Sequence, residues 1–282
     1  MEDPDANSIQ QLADRLLSWF DLSHSYAVAF SGGVDSAVVA VAAHYSGVET
    51  CLITARGPSL SQRDQDDAQR VVQAFGLRHQ WLETSESLDP AYQRNDLRRC
   101  FYCKSHLYSA IRREFPNSLI LSGTNRDDLQ DYRPGLEAAQ LAAVRAPLAE
   151  LNLGKQQVRQ LAHYWNIPVA AKPASPCLAS RLAYGVSVTP ERLEMIEGAE
   201  RFLRELLEID DCRVRLHPDG LGRIELGVDA IQRALTEPNR PKILNELQRL
   251  GFRYVTIDLA SQRSGSLNPI QPQLVKISSA SR

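Results

Sequence analysis

The sequence predicts an α/β fold, with a doubly wound parallel sheet over residues 1–184 and a smaller α+β domain over residues 185–282. Three observations carry this expectation. Short apolar runs alternate with helix-period segments through the first part of the chain, as in a parallel sheet covered on both faces. Two glycine-bearing turns, at residues 31–36 and 122–128, follow such runs, where open α/β sheets bind ligands. Beyond residue 185 the order changes to helix, two short strands, a helical pair and a last strand.

Ile9, Leu12, Leu16, Leu17 and Phe20 share a helical stripe, so residues 9–20 read as a helix. Residues 26–30 form a short apolar strand before the first glycine turn, and residues 37–44 form a buried, Ala/Val-rich helix. Residues 51–54 are a second strand, and residues 65–75 are helical in period and stop at Gly76. Residues 119–122 are a strand-like run ending at Gly123, and residues 155–165 are a helix closed before Pro168. In the second part, Thr189, Pro190 and Glu191 supply an N-cap, a first-turn proline and a first-turn acid. The helix they start directs Leu193, Ile196, Phe202, Leu203 and Leu206 inward. Residues 212–216 and 223–226 are alternating strands joined by a His-Pro-Asp-Gly turn. A helical pair spans residues 231–250, a strand covers 254–259, and the polar tail after Gly265 is expected to be loosely held.

Composition narrows the function classes. The 32 basic and 34 acidic residues leave a formal charge of -2 and a pI near 6.3, with no whole-surface basic field for gripping long nucleic acid. The longest apolar stretch, residues 37–43, is far short of the roughly 20 residues that span a bilayer. The acidic start, Met1-Glu2-Asp3-Pro4-Asp5, is unlike a signal peptide, so a cytoplasmic protein without membrane partners is expected. In that compartment the five cysteines are expected as thiols, ligands or nucleophiles rather than as a disulfide framework.

Ser31-Gly32-Gly33-Val34-Asp35-Ser36 joins the first strand to the following helix. Consecutive glycines let the backbone turn tightly with N–H groups towards an anion, and the helix adds its positive end. Ser31 and Ser36 offer hydroxyl donors, and Asp35 suits the Mg²⁺ that accompanies a triphosphate. The lysine of a Walker loop is missing. The string resembles the phosphate loop of the PP-loop ATP pyrophosphatase superfamily. That resemblance implies ATP cleavage between its α and β phosphates, with a substrate oxygen adenylylated. Ser122-Gly123-Thr124-Asn125, with Asp128 following, is similar to the superfamily's G-T-x-N element and its acidic metal-binding position.

Cys177 lies in Lys172-Pro-Ala-Ser-Pro-Cys177-Leu-Ala-Ser180-Arg181, an extended stretch where an adjacent guanidinium favours thiolate. Cys100 and Cys103 form a C-x-x-C pair with His106 three residues beyond. From spacing alone, the pair suits a Zn²⁺ site with His106 and Cys177, a redox or persulfide relay, or two core positions. Cys51 and Cys212 read as structural.

The Cys177 stretch, residues 123–135 and the Asp258-Leu…Ser264-Gly-Ser-Leu-Asn268 segment together resemble the LarE family of ATP-dependent sulfur transferases. That resemblance implies a role in making the nickel-pincer nucleotide of lactate racemase. The family converts a carboxylate of pyridinium-3,5-biscarboxylic acid mononucleotide to a thiocarboxylate. Some members give up the sulfur of the cysteine matching Cys177. Others carry three cysteines for a [4Fe-4S] cluster that accepts sulfide from a donor, and the trio Cys100, Cys103 and Cys177 favours that type here. A homo-oligomer is implied as well.

Arg213 and Arg215 alternate on one strand, so they leave the same face and with Arg181 suit a carboxylate or phosphate clamp. The resemblance places both in the substrate site with Ser180 and Glu200, and Arg133 is a further candidate near the nucleotide. A tRNA thiolase shares the loop and the cysteines but calls for a basic RNA surface. An amide synthetase or a non-enzymatic nucleotide-binding module leaves Cys177 without a purpose.

Overall fold

In the computed structural model, residues 4–130, 134–173 and 175–260 are described. The elements run α1 (Pro4–Leu17), β1 (Ser25–Ala29), α2 (Val34–Tyr45), β2 (Glu49–Arg56), α3 (Gln62–Phe75) and β3 (His79–Glu83). Then come α4 (Pro90–Gln93), α5 (Arg99–Glu114), β4 (Leu119–Leu121), α6 (Pro134–Leu141), α7 (Pro147–Glu150) and α8 (Lys155–Tyr164). The second part holds α9 (Pro190–Leu207), β5 (Arg213–Leu216), β6 (Leu221–Glu225), α10 (Val228–Leu235), α11 (Asn239–Leu250) and β7 (Tyr254–Ile257).

The first sheet is parallel and ordered β3-β2-β1-β4, with Ala27 opposite both Cys51 and Ile120. Chain order reverses between β1 and β4, so the loops leaving these strands flank the switch point. One face packs on α1, α2, α3 and α8 through Leu16, Val38, Val71 and Leu161, and the other on α5 and α6 through Ile111 and Ala138. The doubly wound expectation holds. Its Ala/Val-rich helix is α2, buried from Val34 through Ala43 apart from Asp35. Gly76 ends α3 in the left-handed region at φ 61°, with its N–H bonded to the Val72 carbonyl.

The second sheet is ordered β5-β6-β7, antiparallel then parallel, and packs on α9, α10 and α11 around Leu203, Val214, Ile224 and Leu247. Thr189 caps α9 by accepting from the Arg192 amide, with Pro190 in the first turn as expected. Leu207 rather than Leu206 closes the buried stripe of α9, and Phe202 and Leu206 are only half-buried. Leu178, Ala179 and Leu182 also enter this core, so the Cys177 segment is anchored there rather than under the first sheet. The region between α3 and β4, to which the sequence reading assigned no element, forms β3, α4 and α5, and α5 carries the C-x-x-C pair in its first two turns. Among the described residues, no helix is long and apolar enough to cross a membrane.

Candidate active site

Gly32 has φ +70°, and a Cβ there would lie 2.8 Å from the Asp64 carbonyl oxygen and 2.9 Å from the Ala68 amide nitrogen. Only glycine lets the loop turn this way while docking on the first turn of α3. The Ser36 hydroxyl donates to the Gly33 carbonyl at 3.0 Å and accepts from the Ser31 amide at 3.3 Å, which holds the loop curled over the start of α2. Val34 points into the core, so its part in the cradle is played by backbone.

The loop after β4 closes the other side. A Cβ on Gly123 would sit 2.5 Å from the Ser36 amide nitrogen, so this backbone packs directly on the first turn of α2. Thr124 accepts from the Ser122 hydroxyl at 3.0 Å. The Asn125 side-chain oxygen accepts from the Asp127 and Asp128 amides at 2.9 and 3.2 Å. That turn brings Asp128 near Asp35. Burial and the Asp128 charge push the Asp35 carboxyl up to about 6, while Asn125, Lys155 and Arg159 pull the other way. Two neighbouring carboxylates, one resisting ionisation, are a donor set suited to a hard divalent cation.

Behind the loop lies Lys172, whose ammonium reaches Asp64 at 2.7 Å, Asp67 at 2.6 Å and the Gly32 carbonyl at 3.4 Å. Burial works to raise the Asp67 pKa, but Lys172 and Arg70 outweigh it and hold the carboxyl below its ordinary value. Lys172 also lines a cleft with Arg63, Ser175, Arg181, Asp211 and Arg213. A second cleft shares Arg63, Ser175, Arg181 and Asp211 with it and adds Ser61, Asp64, Glu197, Glu200 and Arg204. Burial and the facing charges of Arg181 and Arg215 make the Arg213 guanidinium less basic. The first cleft sets Arg63, Lys172, Arg181 and Arg213 against one acid, Asp211, a balance that favours an anionic ligand there.

The Cys177 segment forms the floor. Arg181 is buried, pairs with Glu200 at 3.0 Å, and donates to the Pro176 carbonyl, the Cys177 carbonyl at 3.4 Å and the Ser180 hydroxyl at 3.2 Å. Its contacts shape the backbone that carries Cys177. Glu200 also accepts from the Val214 amide at 3.1 Å, so one carboxylate ties α9, β5 and the segment together. Arg215 donates to the Ser180 carbonyl at 2.9 Å and pairs with buried Glu225 at 2.9 Å.

Cys177 and Cys100 are exposed and Cys103 is half-buried. The thiols sense one another: burial, then the Cys177 charge, pushes Cys103 up to about 12. Arg99 bridges the two elements, donating to the Ala179 carbonyl at 2.8 Å, to Asn95 at 2.6 Å and towards the Cys100 sulfur at 3.9 Å. His106 spends one ring nitrogen on Asp89 at 2.9 Å and the other on Ser85 at 3.1 Å, which leaves none for a zinc ion. Three thiols flanked by Arg99 and Lys104 match the donors of a three-thiolate cluster in kind. Among the described residues, however, no three His, Cys, Asp or Glu stand in a metal-holding arrangement.

No protein-family model matches the chain. An uncharacterized protein of Synechocystis sp. (strain PCC 6803) is 40% identical over 250 residues, covering 86% of this chain and 91% of that protein. The pyridinium-3,5-bisthiocarboxylic acid mononucleotide synthase of Lactiplantibacillus plantarum is 33% identical over 246 residues, 86% of this chain and 88% of its own. The chain belongs to the LarE family. An NH(3)-dependent NAD(+) synthetase of Aeropyrum pernix, 31% identical over 196 residues, covers 62% of this LarE-family chain and 67% of its own length. With the parallel sheet, that likeness supports a PP-loop type of ATP-using enzyme.

Within this LarE-family fold, Ser31–Ser36 backbone, Gly123, Thr124, Asp35 and Asp128 gather at the switch point, Arg181, Glu200 and Arg213 line the clefts, and Ser180 and Arg215 stand behind Arg181 through hydrogen bonds rather than in the lining. Arg133 and residues 264–268 lie outside the described residues. Sequence reasoning passed over Lys172, Asp64, Asp67, Arg99, Asn95 and Arg63. Lys172 and Arg99 each stand in a string that was read for its cysteines, and their partners lie 108 and 80 residues away in sequence, at Asp64 and Ala179.

Proposed function

We propose that this protein is an ATP-dependent sulfur insertase acting on pyridinium-3,5-biscarboxylic acid mononucleotide, in nickel-pincer nucleotide biosynthesis. The observation that carries this reading is the position of the Cys177 segment. At one end Lys172 touches the phosphate loop, and at the other Arg181 enters the arginine-lined cleft. ATP held by that loop and a carboxylate held in that cleft would therefore meet beside a cysteine. Family membership agrees with this chemistry.

In the first step a substrate carboxylate oxygen attacks the α-phosphorus of ATP. The bond to the β-phosphate oxygen breaks, and pyrophosphate leaves. Backbone N–H groups at the start of α2, with the Ser31 hydroxyl, would orient the phosphates, while the Ser36 hydroxyl holds the loop through the Gly33 carbonyl. Asp35 and Asp128 would hold the Mg²⁺ that offsets phosphate charge. Arg181, Arg213 and Arg215 bind the acidic groups of the nucleotide. Sulfur then attacks the acyl carbon and AMP departs with the bonding pair. Cys100, Cys103 and Cys177 would hold a [4Fe-4S] cluster, which when bound supplies an iron site for sulfide from a separate donor. The division at residue 184 and self-association into a homo-oligomer belong to the same reading.

Incubation with ATP, Mg²⁺ and the biscarboxylate nucleotide should release pyrophosphate and AMP in equal amounts. Absence of both products counts against adenylylation. Intact-protein mass after turnover separates the sulfur routes. An unchanged Cys177 supports the cluster type, whereas loss of one H₂S from Cys177 identifies the sacrificial route and overturns it.

A further inference from the structure

Asp64 and Asp67 occupy the first turns of α3, directly against the phosphate loop. Their side chains are 10% and 3% exposed, and the ammonium facing both belongs to Lys172, itself 8% exposed. Asp67 also pairs with Arg70, and Asp64 accepts from the Ser61 hydroxyl at 2.7 Å. Lysine has three N–H donors. Here they face Asp64, Asp67 and the Gly32 carbonyl, so one side chain joins the buried acids to the loop. Two buried carboxylates behind an anion cradle would repel a triphosphate unless a cation screens them, since burial weakens solvent screening.

We infer that Lys172 is a positioning residue for the nucleotide: together with Arg70, which pairs with Asp67, it offsets the charges of Asp64 and Asp67 and so allows the phosphate loop to accept ATP. The inference rests on the ATP-binding reading above. It requires no contact between Lys172 and ATP, and it differs in sign from a purely structural role. Removing the lysine leaves the loop facing one uncompensated negative charge, because Arg70 still pairs with Asp67. Removing one aspartate breaks the same ion cluster yet leaves the loop more positive.

The test is Mg²⁺–ATP affinity of the full chain, measured by calorimetry beside thermal denaturation. Lys172→Met should weaken ATP binding about tenfold, the size of an ordinary coupling between neighbouring sites. Asp67→Asn should bind ATP at least as tightly as the parent despite a lower Tm. The charge-balanced double variant Asp64→Asn/Lys172→Met, which removes one negative and one positive charge, should recover parental affinity, and it keeps the question answerable if Lys172→Met fails to fold. Equal ATP affinity in parent and Lys172→Met overturns the inference, as does equal weakening in Lys172→Met and Asp67→Asn, or a double variant that stays weak. A parent chain that does not bind ATP overturns the functional reading itself, a different result from a parent that binds and variants that do not discriminate.

Discussion

Asp35 shows how one side chain reports the work of its site. Burial and the Asp128 charge raise its carboxyl from 3.8 to about 6, so above that pH the cation-free protein keeps an unfavourable ionised group. Asp35→Asn should therefore raise the Tm of the metal-free protein at pH 7 to 8 while abolishing ATP turnover. The sign follows from linkage: with a raised folded value, the parent gains stability as pH falls through about 6. The variant's advantage should shrink over that window and vanish below the unfolded value near 3.8. A Tm difference that does not vary with pH would show that Asp35 feels neither burial nor Asp128. Cys212 behaves as an ordinary structural thiol by comparison, bonded to the Glu200 carbonyl at 3.4 Å and pushed up to about 12 by burial.

At the scale of elements, the phosphate cradle is a contact among three backbone segments. The loop after β1 docks on α3 at Gly32, and the loop after β4 docks on the start of α2 at Gly123. A methyl group at Gly123 would meet the Ser36 amide nitrogen at 2.5 Å, where backbone rather than a flexible side chain must yield. Gly123→Ala should thus cost about 1–3 kcal/mol of stability and weaken ATP binding more than substrate binding, as denaturation and calorimetry would measure. The strand–glycine–helix order was visible in the sequence because it depends on neighbours along the chain. The docking of the two loops on α2 and α3 was not, since no periodicity records which helix start a loop will touch. The same holds for α5. Its first two turns carry Cys100 and Cys103, but nothing in the C-x-x-C spacing says that they face the Cys177 segment.

Across the whole molecule, the Cys177 segment is a splice between two cores. Buried Asn95 donates to the carbonyls of Ala183 and Val186 at 2.8 and 2.9 Å and accepts from Arg99 at 2.6 Å. Asn95→Ala leaves these groups unsatisfied and should cost about 3 kcal/mol in denaturant unfolding; it should also loosen the segment, read as faster alkylation of Cys177. An unchanged midpoint would show that the splice is held elsewhere. The arginines of β5 make a related point. Alternation put Arg213 and Arg215 on one face, but their burial depends on β6, which brings Glu225 to Arg215, and on α9, which gives Glu200 to Arg181. By itself the sequence determined the parallel sheet, the glycine loops at the ends of β1 and β4, the capped start of α9 and the identity of the cysteines, all of which rest on local backbone preference and period. The tertiary structure alone decided that Lys172 screens Asp64 and Asp67, that Arg99 reaches Ala179, and that Arg181 holds its segment through Glu200. These are charge contacts between residues far apart in the chain, and their energies exist only once packing has excluded water around them.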